Sequence, residues 1–181
     1  IQMVLHQIPS RQQQIEALQQ GKILAAFNSG FSESTELGVE EVCQEYLCAV
    51  LNSQHPLAVK SAIHLTELRG HPMIGARELK ELPVAIERAF RHHNFEPLIT
   101  HRTSDLFSFL GMTACGLGIS LLPMSLQGME FPGVVFRPLL ADFELSIDFE
   151  CAFLKGKPSP QLAVLLDIVR TFRATNPGFL A

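Results

Sequence analysis

Residues 113–123, TACGLGISLLP, contain the signals for the end of a helix, a sharp turn and a short strand. Apolar residues at helical spacing lead into Gly116, which has no Cβ and so can adopt the left-handed conformation that ends a helix. Gly118 removes a second side chain where the chain must turn. Residues 119–122 form an apolar run of strand length, and Pro123 ends it. The stretch therefore predicts a helix followed directly by a buried strand.

The residues upstream complete a repeating unit. Residues 97–101 are predicted to form a strand, and Ser104 or Asp105 is suited to cap the helix that follows. Strand, helix and strand in this order form the unit of a parallel sheet. The middle of the chain is therefore predicted to be α/β.

Similar signals recur along the rest of the chain. A strand at 4–8, a helix from Ser10 to Gln20 and a strand at 23–27 predict a second such unit, with a right-handed crossover. A loop is predicted at 28–38. The other predicted strands lie at 45–51, 72–75, 134–138 and 146–154, with a short helix or turn at 62–68, a helix at 82–93 and a last helix capped by Ser159.

Composition limits the functions open to this chain. Of its 181 residues, 14 are Lys or Arg and 18 are Asp or Glu, giving a formal net charge of −4. Direct binding to nucleic acid needs a basic surface, and the basic residues form no cluster. No apolar run approaches the roughly 20 residues that span a membrane. The opening inside a predicted strand, without Met, leads us to expect a piece of a longer polypeptide.

Cysteine and histidine spacing predicts no metal or redox site. The four cysteines, Cys43, Cys48, Cys115 and Cys151, lack C-x-x-C spacing, so we expect reduced thiols in a cytoplasmic protein, with Cys115 and Cys151 in the core. The histidines at 92, 93 and 101 are too loosely spaced for a metal. Ser120 lies inside a strand rather than in a G-x-S-x-G turn. We therefore expect no enzyme, no metal and no cofactor.

Four segments together resemble the effector-binding domain of LysR-type transcriptional regulators. They are A-x-G-x-G-I-x-L-L-P at 114–123, RQQQIEALQQGKILAAF at 11–27, HPLA at 55–58 and GVVFRPLL at 133–140, in the order of that family. Leu24 departs from the pattern, because the family usually has an acidic residue there. The resemblance implies an α/β, two-lobed, periplasmic-binding-protein-like (type 2) fold with parallel-rich sheets and an interlobe cleft. Lobe I would comprise 1–50 and 147–181, without the family's first strand and helix, and lobe II 51–146.

A ligand site is predicted where helices begin. In open α/β sheets ligands bind beyond the carboxyl ends of the strands, where helix N-termini present N–H groups to anions. Ser10 and Ser104 stand at such places, although capping alone also explains a serine there. The resemblance extends this set, and the candidate ligand-binding residues are Ser10, Arg11, Asn28, Ser29, Gly75, Leu82, Thr103 and Ser104.

The resemblance also implies a function. The chain would be the effector-binding and oligomerisation domain of a regulator, sensing a small organic, anionic molecule in the interlobe cleft. It would form a homodimer or tetramer, paired through the helix at 11–20, and would contact DNA only through an N-terminal winged helix-turn-helix domain outside this chain. The alternative is the solute-binding protein of a transporter, which shares the two-lobed architecture.

Overall fold

The computed structural model describes residues 3–8, 10–76, 84–142, 145–156 and 159–176. The elements in chain order are α1 (Arg11–Gln19), β1 (Ala26–Asn28), β2 (Leu37–Asn52), β3 (Ile63–His64), β4 (Pro72–Ala76), α2 (Val84–His92), β5 (Leu98–Thr103), α3 (Leu106–Ala114), β6 (Ile119–Pro123), β7 (Val134–Leu140), β8 (Ser146–Leu154) and α4 (Pro160–Thr175). Short 3₁₀ turns lie at Pro56–Val59, Leu65–Leu68 and Met124–Met129.

The chain divides into two units. The first unit combines Ile1–Gln44 with Asp148–Phe179, and the second is the continuous stretch Glu45–Ile147. The chain passes from the first unit to the second within β2 and returns within β8. None of the helices in the described part of the chain has the length and hydropathy needed to cross a membrane.

The second unit is built on parallel strands. Strand β4 lies between β5 and β6 and is parallel to both, so β5, α3 and β6 form the predicted strand–helix–strand unit. The second half of β2 is antiparallel to β6 and to β7, and β7 is parallel to β3. Where β2 enters and β8 leaves, the Leu47 N–H donates to the Leu145 carbonyl at 2.7 Å. This hydrogen bond brings the two ends of the second unit together.

The helix end, turn and strand at 113–123 form as predicted. Gly116 has a φ of 74°, in the left-handed region. At Gly118 a Cβ atom would lie 3.0 Å from the Pro72 carbonyl oxygen, so only glycine fits there without a shift. The Thr113 and Ser120 hydroxyls hydrogen-bond to each other at 2.8 Å, and both residues are fully buried. This bond ties the last turn of α3 to β6.

Two apolar clusters form the core of the second unit. The larger includes residues of β2, β4, β6 and α2, with Phe90 and Leu51 among its most buried side chains. The smaller packs Leu110 of α3 against Val50 and Phe136 of the sheet. The helices therefore bury their apolar sides on the strands, as an α/β arrangement requires.

The first unit places two helices on a short sheet. Strand β1 is antiparallel to β8, pairing Ala26 with Ala152. From α1, Leu18 packs beside Ala26, and α4 packs Leu166 against Cys151. The Phe31 N–H donates to the Glu150 carboxylate at 2.7 Å, joining residues 119 apart in sequence.

The predicted strand at 4–8 is wrong, and the strand predicted at 23–27 is present only as the shorter β1, Ala26–Asn28. Residues 3–8 have no regular secondary structure, and Met3 and Leu5 are 60% and 85% exposed. A strand needs a partner, and no strand in the described part of the chain pairs with this segment. Strand β1 begins only at Ala26, so the predicted unit around α1 lacks its first strand and has a shortened second one.

Two further expectations need correction. Strand β2 begins at Leu37 rather than at 45, so the predicted loop at 28–38 ends early. Gly38 and the acidic residues after it weaken the strand signal in that part of the sequence. Cys115 caps the C-terminal end of α3 and is exposed, whereas Cys151 is buried as expected.

Candidate functional site

Polar residues of the predicted set come together in the first unit. The Arg11 guanidinium donates to the Ser29 carbonyl at 3.2 Å. The Asn28 side chain accepts from the Ser29 N–H at 2.8 Å and donates to the Gln14 side-chain oxygen at 3.3 Å. These contacts link the first turns of α1 to the end of β1 and to the residue that follows it. Gln14 was not predicted, because nothing in its local sequence marks a contact with a residue 14 positions later.

The N-terminus of α1 carries positive charge. Ser10 caps the helix, its hydroxyl accepting from the Gln13 N–H at 3.2 Å, and the first turn contains no acidic residue. Arg11 is exposed and lies over Gly30, where a Cβ atom would come within 2.5 Å of the guanidinium. A helix N-terminus and a guanidinium both favour an anion, so this end of α1 is electrostatically suited to one.

In the second unit, predicted residues lie where parallel strands end. The register pairs Gly75 with Arg102 and Ala76 with Thr103, which places Gly75 and Thr103 near the carboxyl ends of β4 and β5. Gly75 is buried, and a Cβ atom there would lie 3.0 Å from the Ile99 side chain. The Arg102 guanidinium donates to the Ala76 carbonyl at 3.0 Å. This edge of the sheet is where α/β proteins place ligands.

The start of α3 carries its own carboxylate. Asp105 is the N-cap, accepting from the Ser108 N–H at 2.9 Å and from the Ser108 hydroxyl at 2.6 Å. These two hydrogen bonds, with smaller contributions from the Phe107 N–H and the Thr103 hydroxyl, lower the pKa of Asp105. Thr103 is buried and Ser104 is exposed. Because an anionic side chain already occupies this helix start, it suits a second anion less well than the start of α1.

The remaining predicted residue, Leu82, lies outside the described residues. Within the described ranges, no three His, Cys, Asp or Glu side chains are arranged to hold a metal ion. The described site residues form two groups, one in each unit, and both contain groups that can hydrogen-bond to a ligand. Among their described residues, neither group places a nucleophile beside a base.

Comparison with known proteins identifies the family. Residues 1–174 match the family model described as the LysR substrate binding domain. The transcriptional regulator CatR of Pseudomonas putida is 29% identical over 130 residues, covering 71% of this chain and 45% of CatR. The Hca operon transcriptional activator HcaR of Escherichia coli is 26% identical over 160 residues, covering 87% of this chain and 54% of HcaR. The chain spans about half the length of these curated relatives.

Solved structures show the same fold. The BenM effector-binding domain with benzoate has a TM-score of 0.78 at 23% identity, covering 92% of this chain and 77% of that one. The QuiR effector-binding domain with shikimate has a TM-score of 0.79 at 21% identity, covering 94% of this chain and 80% of the QuiR chain. The chain thus has the two-lobed, type 2 periplasmic-binding-protein-like α/β fold. The family match rules out the alternative of a transporter's solute-binding protein, and this chain belongs to the LysR substrate-binding domain family.

Proposed function

We propose that this chain senses a small organic carboxylate for a LysR-type transcriptional regulator. The observation that carries the proposal is the polar group at the start of α1, where Arg11, Asn28 and Ser29 are linked by hydrogen bonds. Two structural relatives were solved with carboxylates, benzoate and shikimate. A regulator that responds to such a molecule needs no catalytic residues, so we propose that the chain is not an enzyme.

The ligand would use both groups of residues. We propose that the first and second units correspond to lobes I and II, and that the effector contacts Ser10, Arg11, Asn28 and Ser29 of one and Gly75, Leu82, Thr103 and Ser104 of the other. The carboxylate would bind near Arg11, because the start of α3 already holds the Asp105 carboxylate. Preferential binding to one arrangement of the regulator would shift its equilibrium toward that arrangement.

The whole protein would act on DNA in the cytoplasm. Relatives named as transcriptional regulators and a solved full-length regulator bound to its target DNA support this. We propose that a winged helix-turn-helix domain outside this chain makes the DNA contact, and that the regulator is a homodimer or tetramer. The outward side of α1 is exposed and polar, which suits pairing through a moderate interface.

Calorimetric titration of the 181-residue chain with benzoate and shikimate, followed by a panel of other carboxylic acids, tests the proposal. We expect at least one acid to bind, and Arg11→Gln to weaken it roughly 10- to 100-fold, since a charge-assisted hydrogen bond contributes about 1.5–3 kcal/mol. Arg91→Gln is the control, because Arg91 is also exposed but pairs with Glu87 on α2. Unchanged affinity in Arg11→Gln, or no binding of any acid, would contradict the proposal.

A further inference from the structure

Two adjacent histidines in the second unit have no part in the proposed function. His92 is the last residue of α2 and His93 follows it, at the end of the helix where the dipole favours a positive charge. Their rings meet edge to face, with centroids 5.1 Å apart. Histidine is the side chain that ordinarily gains its charge between pH 8 and pH 5, while carboxylates and guanidinium groups keep theirs. The charge at this end of α2 therefore depends on pH.

One carboxylate faces both rings. The Asp142 Oδ2 atom lies 3.4 Å from Nε2 of His92 and 3.9 Å from Nε2 of His93. The His93 Nε2 atom is buried and has no hydrogen-bond partner among the described residues. A neutral ring leaves this nitrogen unpaired, whereas a protonated ring attracts the carboxylate and can donate a charge-assisted hydrogen bond to it. The arrangement therefore favours a proton on the histidine pair.

The other charged groups of the neighbouring elements oppose this proton only weakly. The Arg69 guanidinium donates to the His93 carbonyl at 2.8 Å, so it contacts the backbone rather than the ring. Arg91, one residue before the pair, forms an ion pair with Glu87 on α2. Strand β3 and the 3₁₀ turn after it lie beside the end of β7, and the titratable groups there are His64, Glu67 and Lys60. Glu67 contacts both His64 and Lys60, which offsets their charge.

We propose that a proton on the His92–His93 pair binds Asp142 and so fastens the segment after β7 to the end of α2. Asp142 lies shortly before Leu145, whose carbonyl accepts from the Leu47 N–H and joins the two ends of the second unit. The attraction exists only while the pair is protonated, so it stabilises the second unit at low pH, and this stability is lost as the pH rises. The contact is a pH-dependent clasp that does not depend on the proposed regulatory function.

A double-mutant cycle at two pH values tests the clasp. One variant carries His92→Gln and His93→Gln, a second carries Asp142→Asn, and a third combines them; urea unfolding of the 181-residue chain measures all three and the wild type at pH 5.5 and pH 8. Asp142→Asn should raise the unfolding equilibrium constant about three- to fivefold more with the histidines present than without them at pH 5.5. At pH 8 this ratio should fall below about 1.5. His55 is present in all four proteins, so its own titration cancels.

His71→Gln provides the matched control, because the His71 ring packs against His55, with centroids 5.0 Å apart, rather than against Asp142. Its cycle with Asp142→Asn should show no coupling at either pH. The Asp142→Asn variant alone is a second measurement that leaves the histidines in place, at a side chain 70% exposed. It should destabilise the chain more at pH 5.5 than at pH 8. Coupling that is absent at pH 5.5, that is equal at both pH values, or that His71 reproduces would overturn the proposal, as would a single variant whose effect does not change with pH.

Discussion

Replacing Thr113 by Val should destabilise the second unit by about 1–3 kcal/mol, the cost of leaving a buried polar group unpaired. The Thr113 and Ser120 hydroxyls are 2.8 Å apart, and both residues are fully buried. Valine has nearly the shape of threonine, so the change leaves no cavity. It does remove the hydrogen-bond partner of the Ser120 hydroxyl, which is fully buried and so has no water to replace that partner.

The double mutant separates the hydrogen bond from the other effects. Ser120→Ala alone should cost less than Thr113→Val, since a helical threonine hydroxyl can turn to a carbonyl of the preceding turn. The double mutant lacks both hydroxyls, so its decrease in the free energy of unfolding should be smaller than the sum of the two single decreases by about 1 kcal/mol. Urea unfolding followed by circular dichroism measures these free energies, because the chain has no Trp to report by fluorescence.

Thr171→Val provides the matched control. Thr171 is also a helical threonine, but it is exposed, and its hydroxyl bonds to the Asp167 carbonyl. Its replacement should change the free energy of unfolding by less than about 0.5 kcal/mol. Equal effects at Thr113 and Thr171, or strict additivity in the double mutant, would refute the argument that the buried pair stabilises the fold.

Two further predictions concern titratable groups. Burial raises the pKa of the Cys48 thiol to about 12, so this cysteine should react with dithionitrobenzoate only on unfolding, while the exposed Cys115 reacts in the native chain. Burial, and then the neighbouring His71, lower the pKa of His55, whose ring accepts from the Leu57 N–H. As the pH falls, His55 is therefore protonated in the unfolded chain before it is protonated in the folded one, and the free energy of unfolding should decrease below about pH 6.5. His55→Asn should make this decrease smaller, as measured by urea unfolding at several pH values.

Local signals predicted the parts of the fold that local chemistry determines. Gly116 ends α3 because few other residues adopt its backbone conformation, and Pro123 ends β6 because it cannot continue the strand. Ser159 caps α4 through the Leu162 N–H for a similarly local reason. Each of these effects involves residues only a few positions apart, so the sequence alone contains the information.

Long-range pairing accounts for the errors. The first half of β2 has glycine and acidic residues that favour a loop, and its place in the sheet depends on partners far along the chain. The segment at 4–8 shows the reverse case, because its apolar residues predict a strand that has no partner among the described residues. At the candidate site, the capping role of Ser10 was readable locally. The contact between Arg11 and Ser29, 18 residues apart, was not.

The discontinuity of the first unit has a consequence for the order of folding. The hydrogen bond between Phe31 and Glu150 closes a loop of 119 residues if the chain is otherwise unfolded. Once the second unit has formed, the bond between Leu47 and Leu145 holds its two ends together. The open loop then shrinks from 119 to roughly 20 residues, which lowers the entropic cost of closure by about 1.5 kcal/mol. During synthesis the continuous second unit can therefore fold first, and the first unit can be completed only after the ribosome has added β8 and α4.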